Sequence, residues 1–160
     1  PICKKCPIKI KCKSFQLEQT SNYPRKINKA AIPTYNVVVG FIKRDDKFII
    51  SKRKATGLLA GLWELPGGKK HINEKNKECL IREIKEELDI IIKIGEKIGK
   101  IKHQYSHFKI NLIGYNCIYK SGNPKPLASQ KIKWIHLKEI KKYAFPKSTI
   151  KFLSLLEGKA

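Results

Sequence analysis

The chain has 160 residues and carries 35 lysines and arginines against 13 acidic residues, a formal charge of +22. With 41% apolar residues it can bury one good core, which excludes a disordered chain, and no apolar run approaches the roughly 20 residues of a membrane helix. The charge points to a polyanionic partner, nucleic acid first, although 31 lysines against four arginines is also the bias an AT-rich genome imposes. No leader peptide is legible, so the cytosol (a cytoplasmic localisation) is the expected compartment. The sequence opens at Pro1 and contains no methionine, as expected of a piece of a longer chain.

In chain order, residues 1–14 place Cys3, Cys6 and Cys12 within ten positions. In a reducing compartment such a cluster suggests a metal rather than a disulfide, and a structural zinc would want a fourth ligand that is not nearby. Cys79 and Cys117 sit in apolar helix and strand contexts and are expected in the core. Residues 15–32 are polar, basic and proline-containing, and read as an exposed tether after a short helical end near Phe15–Glu18. Thr34–Lys43 predicts a strand, Asp45-Asp46 a turn, and Lys47–Arg53 the returning strand of a hairpin. Residues 55–66 predict a loop and a short strand that turns at Gly67-Gly68, with Trp63 as a core anchor.

Further on, Ile90–Lys102, Phe108–Lys120 and Ile132–Leu137 read as strands, Lys138–Tyr143 as a short helix, and Ser148–Leu156 as a closing amphipathic helix. Between them, Leu80, Ile84 and Leu88 recur every four residues and form the apolar stripe of a helix over residues 75–88. Glu83, Glu86 and Glu87 fall on another face, where like charges repel unless something compensates them. A hard divalent cation, Mg²⁺ or Mn²⁺, would do so; the alternative is a solvated acidic face. Six of the 13 acidic residues crowd this window: Glu74, Glu78, Glu83, Glu86, Glu87 and Asp89.

The order Gly68, five residues, Glu74, seven residues, Arg82-Glu83-Ile84, one residue, Glu86-Glu87 resembles the Nudix box. The resemblance implies an α/β Nudix fold, a mixed β-sheet sandwiched by helices. It also implies Mg²⁺ or Mn²⁺ held by Glu83, Glu86 and Glu87 with Glu74 assisting, supported by Gly68 and Arg82. Asp89 stands where the family usually has glycine, which puts the turn after the helix in question.

Four longer segments, KAAIPTYNVVVGFI, GLLAGLWELPGGK, QYSHFKI and WIHLKEIKKYAFPKS, resemble the C-terminal part of MutY-type adenine DNA glycosylases. The spacing Cys-x2-Cys-x5-Cys likewise resembles the end of the [4Fe–4S] loop of helix-hairpin-helix glycosylases, with one ligand missing. These resemblances imply that residues 1–14 end an iron–sulfur loop, 15–32 link two domains, and 33–160 form a MutT-like domain. In that family the C-terminal domain recognises 8-oxoguanine opposite the adenine to be removed, through an aromatic-Ser-His tripeptide matched by Tyr105-Ser106-His107. The implied partners are duplex DNA carrying A:8-oxoguanine and an N-terminal helix-hairpin-helix domain. The glycosylase catalytic groups belong to that domain, so this chain by itself is not expected to excise adenine. The alternative is a Mg²⁺-dependent Nudix hydrolase of oxidised or ordinary nucleoside triphosphates, because the box is intact in its acidic positions.

Overall fold

The computed structural model describes residues 2–23, 25 and 31–157. The chain divides into two compact units, Pro1–Ala31 and Ile32–Ala160. In the first, 3₁₀ turns at Cys3–Lys5, Lys9–Lys11 and Thr20–Asn22 accompany a one-turn helix α1 at Lys13–Gln16. Six residues of the expected tether, 24 and 26–30, lie outside the described residues.

The second unit is built on a seven-stranded mixed sheet. Its strands are β1 (Thr34–Arg44), β2 (Lys47–Lys52), β3 (Trp63–Glu64), β4 (Gly67–Lys69), β5 (Ile90–Gln104), β6 (Lys109–Gly122) and β7 (Lys131–His136). The order is β3-β2-β1-β6-β5, with β4 added to β1 and β7 to β2. β1 and β6 run parallel and the other pairs antiparallel. Alternation along β1 sends Val38 and Ile42 to one face and Val39 and Phe41 to the other, so both faces must be covered.

Helix α2 (Asn76–Leu88) covers the first face with Cys79, Leu80, Ile84 and Leu88, each fully buried, as the four-residue spacing predicts. Cys117 joins them, so both isolated cysteines are core residues. Helix α3 (Lys147–Glu157) covers the second face through Phe152 and Leu153. It docks tightly because Gly114 on β6 leaves room for the Phe152 ring, which any Cβ there would overlap. Trp63 and Phe145 complete this core, which makes Trp63 the anchor the sequence suggests.

Three local details differ from expectation. Gly67-Gly68-Lys69 does not simply turn but continues as β4, paired with Val39, Val38 and Val37. Residues Leu137–Lys142 wind as a 3₁₀ helix, opened by the Glu139 carboxylate accepting the His136 N–H at 3.0 Å. Asp89 takes the left-handed conformation (φ 53°) usual for glycine, and its cost is offset by the Lys85–Asp89 ion pair and by its N–H donating to Lys85 O at 3.1 Å. The turn after α2 therefore forms without glycine.

Candidate active site

The acidic face of α2 meets β4 and the 70–75 loop. Arg82 organises one half of this cluster. Its Nε and Nη2 donate to the two oxygens of Glu74 at 2.8 and 3.0 Å, and its Nη1 donates to Glu83 at 2.9 Å and Glu86 at 3.2 Å. Nη2 also donates to Lys69 O at 3.2 Å, tying the helix to β4. Glu74 accepts the His71 N–H at 2.9 Å as well, and these bonds, Arg82's first, hold its carboxyl down at about 2. Glu74, expected to assist a metal, has both of its oxygens engaged by Arg82 and the His71 N–H.

The other half has a different character. Glu87 accepts the Gly67 N–H at 3.0 Å. Burial pushes its carboxyl up to about 8, with repulsion from Glu64 and Glu83 adding to the rise. Glu64, on β3, is also raised by burial, although Arg53 donates to it at 2.6 Å. Glu83 lies between the halves, directly over Gly68, where any Cβ would collide with its carboxylate. That is a physical reason for glycine at position 68. Glu86 stands at the rim, 60% exposed.

Glu83, Glu86 and Glu87 offer hard oxygen donors, and a Glu87 carboxyl whose charged form is disfavoured by burial and by Glu64 and Glu83 fits a divalent cation of the Mg²⁺ type. As the side chains stand, no three His, Cys, Asp or Glu among the described residues are gathered into a metal-holding group. Glu83 and Glu86 lean to Arg82, so side-chain rotation would have to bring the ligands together. Cys3, Cys6 and Cys12 are half-buried free thiols and form no such group as they stand.

Beside the cluster, on the α3 side of the sheet, lies a cavity of about 170 Å³. Val37, Val39, Phe108, Ile110 and Leu112 give it an apolar floor, and Gly67, Gly68 and Glu64 bound it toward the carboxylates. Lys69 reaches over the Tyr35 ring at 3.8 Å, placing an ammonium at this edge. Tyr105 lines the cavity, stacks on Phe108 with centroids 4.6 Å apart, and shares a 2.7 Å hydrogen bond with the buried Ser148 hydroxyl.

The expected Tyr105-Ser106-His107 reader is thereby divided. Tyr105 points into the cavity, whereas Ser106 and His107 are exposed at the β5–β6 turn. Sequence reading missed Arg53, Glu64, Lys69 and Ser148. Glu64 carried a signal, since it alternates with the buried Trp63 and Leu65 and so must face α2; Ser148 carried none beyond its place at the start of α3.

A family model described as NUDIX domain matches residues 37–155. The chain is 31% identical over 117 residues to the CTP pyrophosphohydrolase of Escherichia coli (strain K12), covering 73% of this chain and 87% of that protein. It is 32% identical over 111 residues to an 8-oxo-dGTP diphosphatase of Buchnera aphidicola subsp. Schizaphis graminum, covering 69% and 84%. It is 26% identical over 135 residues to an adenine DNA glycosylase of Arabidopsis thaliana, covering 68% of this chain but 21% of that protein. Among solved structures, the MutT protein from Methanosarcina mazei Go1 superposes with a TM-score of 0.74 at 24% identity, over 82% of this chain and 98% of that one, a likeness of fold.

Proposed function

The chain belongs to the NUDIX domain family, and from that premise we propose that it hydrolyses nucleoside triphosphates, oxidised dGTP among them, with Mg²⁺ or Mn²⁺ as cofactor. The observation that carries this reading is the cavity beside the carboxylates. An apolar, aromatic-lined space meets the acidic cluster at Gly67-Gly68, with Lys69 at the same edge. A base held against Tyr105 and Phe108 would direct its phosphates toward Lys69 and the acidic face. The relatives named for CTP and 8-oxo-dGTP hydrolysis support the substrate class.

In this reading Glu83, Glu86 and Glu87 hold the cation, which when bound neutralises phosphate charge and makes a water more acidic. Arg82, fixed by Glu74, keeps Glu83 and Glu86 on one side of α2. The Gly67 N–H fixes the Glu87 carboxylate from the other side. The Tyr105–Ser148 hydroxyl pair can donate and accept at the polar edge of a base. Water adds to a phosphorus of the triphosphate chain, and the severed phosphate oxygen leaves with the product.

The test is pyrophosphate release from 8-oxo-dGTP, dGTP and CTP in Mg²⁺. Glu86→Gln, exposed and unable to supply a charged ligand, should lower kcat at least about a hundredfold while the fold persists. Absence of hydrolysis in the wild-type chain sinks this reading.

A second reading has its own support in the likeness to the Arabidopsis glycosylase. Residues 33–160 would then be the 8-oxoguanine-recognising part of an adenine glycosylase, 1–14 the end of a [4Fe–4S] loop and 15–32 a linker. Ser106 and His107, exposed beside the cavity, would meet duplex DNA. On this reading Ser106→Ala weakens binding to an 8-oxoguanine duplex by about tenfold more than to an ordinary duplex, whereas equal loss on both removes the support.

A further inference from the structure

The cavity's wall and the carboxylate cluster meet in one side chain, that of Arg53, immediately after β2. Its Nη1 donates to Glu64 Oε2 at 2.6 Å, and its Nε donates to Leu58 O at 3.0 Å. Its backbone N–H donates to Leu62 O at 2.9 Å, and Gly61 N–H donates to Lys54 O at 3.0 Å. The 54–62 loop is therefore pinned at its base by backbone bonds and at its crest by the guanidinium.

This loop needs holding. Gly57, Leu59 and Gly61 all have positive φ, at 88°, 56° and 72°. Glycine adopts that region readily, but leucine does not, so the winding at Leu59 depends on surrounding contacts. Leu59 is half-buried, whereas its neighbour Leu58 is 55% exposed. Yet Leu58 and Leu59 both wall the cavity, so the loop's position sets the cavity's shape. The other arm of Arg53 ends on Glu64, which stands opposite Ser51 across the β2–β3 pairing and near enough to Glu87 to oppose its ionisation.

We infer that Arg53 is a positioning residue that clamps the 54–62 loop, one wall of the nucleotide cavity, to the carboxylate cluster. It holds Leu58 and Leu59 against the base and Glu64 against α2 in the same act. The inference rests on the nucleotide-hydrolase reading for its kinetic consequence, though not for the clamp itself. Lysine cannot replace it: an ammonium is a single point of charge, whereas the planar fork spans a carbonyl and a carboxylate at once.

Chymotryptic digestion of the full chain, with cuts after Leu58 and Leu59 followed by mass spectrometry, reads the clamp directly. Arg53→Lys should speed these cuts by about tenfold relative to the wild type, with the thermal midpoint confirming that the protein is folded. Glu64→Ala should speed them too, and the double variant should cut no faster than Arg53→Lys, because both remove one shared arm. In steady-state hydrolysis of 8-oxo-dGTP, Arg53→Lys should raise KM by about tenfold and lower kcat by less, the signature of a displaced cavity wall. Cutting within about twofold of wild type in Arg53→Lys, or effects of the two substitutions that multiply, overturns the clamp. A wild-type chain that hydrolyses no nucleotide overturns the enzymatic reading instead, and the digestion still decides the clamp.

Discussion

The two halves of the carboxylate cluster contain the same side chain in opposite circumstances. Around Arg82, Glu74, Glu83 and Glu86 share a guanidinium, and Glu74 is held down at about 2. A few ångströms of helix away, Glu87 is half-buried and, by desolvation with Glu64 and Glu83 adding to it, is pushed up to about 8. In the first half three carboxylates share one guanidinium and stay charged; in the second, burial and neighbouring carboxylates disfavour the charged form of Glu87, which a bound cation would restore. Equal letters in the box therefore do unequal work: some glutamates are charged and paired within the chain, and Glu87 would take its full charge only beside a bound cation.

Removing the internal cation breaks this contrast most severely. Arg82→Ala leaves three carboxylates clustered without a counter-charge, and should destabilise the fold by about 3 kcal/mol in urea titration. A loss under about 0.5 kcal/mol would mean the network is a solvated surface feature. The boundary between the halves is Gly68. Gly68→Ala places a Cβ in the Glu83 carboxylate, the movable end of that side chain, and should cost under about 1 kcal/mol of stability while weakening Mn²⁺ binding measured by paramagnetic relaxation. Unchanged Mn²⁺ binding would separate Glu83 from the metal set.

The smallest effect is the most discriminating, because the halves titrate with opposite signs. Glu87 has its folded value raised from 4.5 to about 8, so the folded state favours its neutral form; that stabilisation is complete below pH 4.5 and is lost as pH rises through about 8. Glu74 has its value lowered from 4.5 to about 2, so its stabilisation is present above pH 4.5 and is lost as pH falls toward 2. In chelator, the thermal midpoint should fall by a few degrees from pH 5 to about 8.5, and Glu87→Gln should flatten that limb while leaving the acid limb intact. Mg²⁺ should flatten the alkaline limb of the wild type. An alkaline limb that survives Glu87→Gln would assign it to another group.

Much of this was legible beforehand, for identifiable reasons. The four-residue spacing of Leu80, Ile84 and Leu88 located α2 to within a residue, because a helix that must bury one stripe has little freedom of phase. The strands of β1, β2, β6 and β7 were readable from β-branched and aromatic runs. What escaped was set by neighbours. β4 was hidden because two glycines carry no strand propensity and are held extended by pairing with Val38 and Val39. Asp89 looked unsuited to its turn because the Lys85 partner that permits it is visible only once the helix has formed. The tripeptide at 105–107 read as one unit, yet Tyr105 is drawn inward by Phe108 and Ser148 while Ser106 and His107 stay in solvent.

By itself, then, the order of residues determined the covered sheet, the acidic helix and the family, because periodicity and fixed motif spacing are properties of the chain alone. Tertiary structure decided which glutamates are already paired, where the cavity lies, and that Arg53 ties its wall to the cluster. Those facts depend on distances between residues far apart in sequence, and a carboxylate's charge is set by burial and by neighbours that only folding brings near.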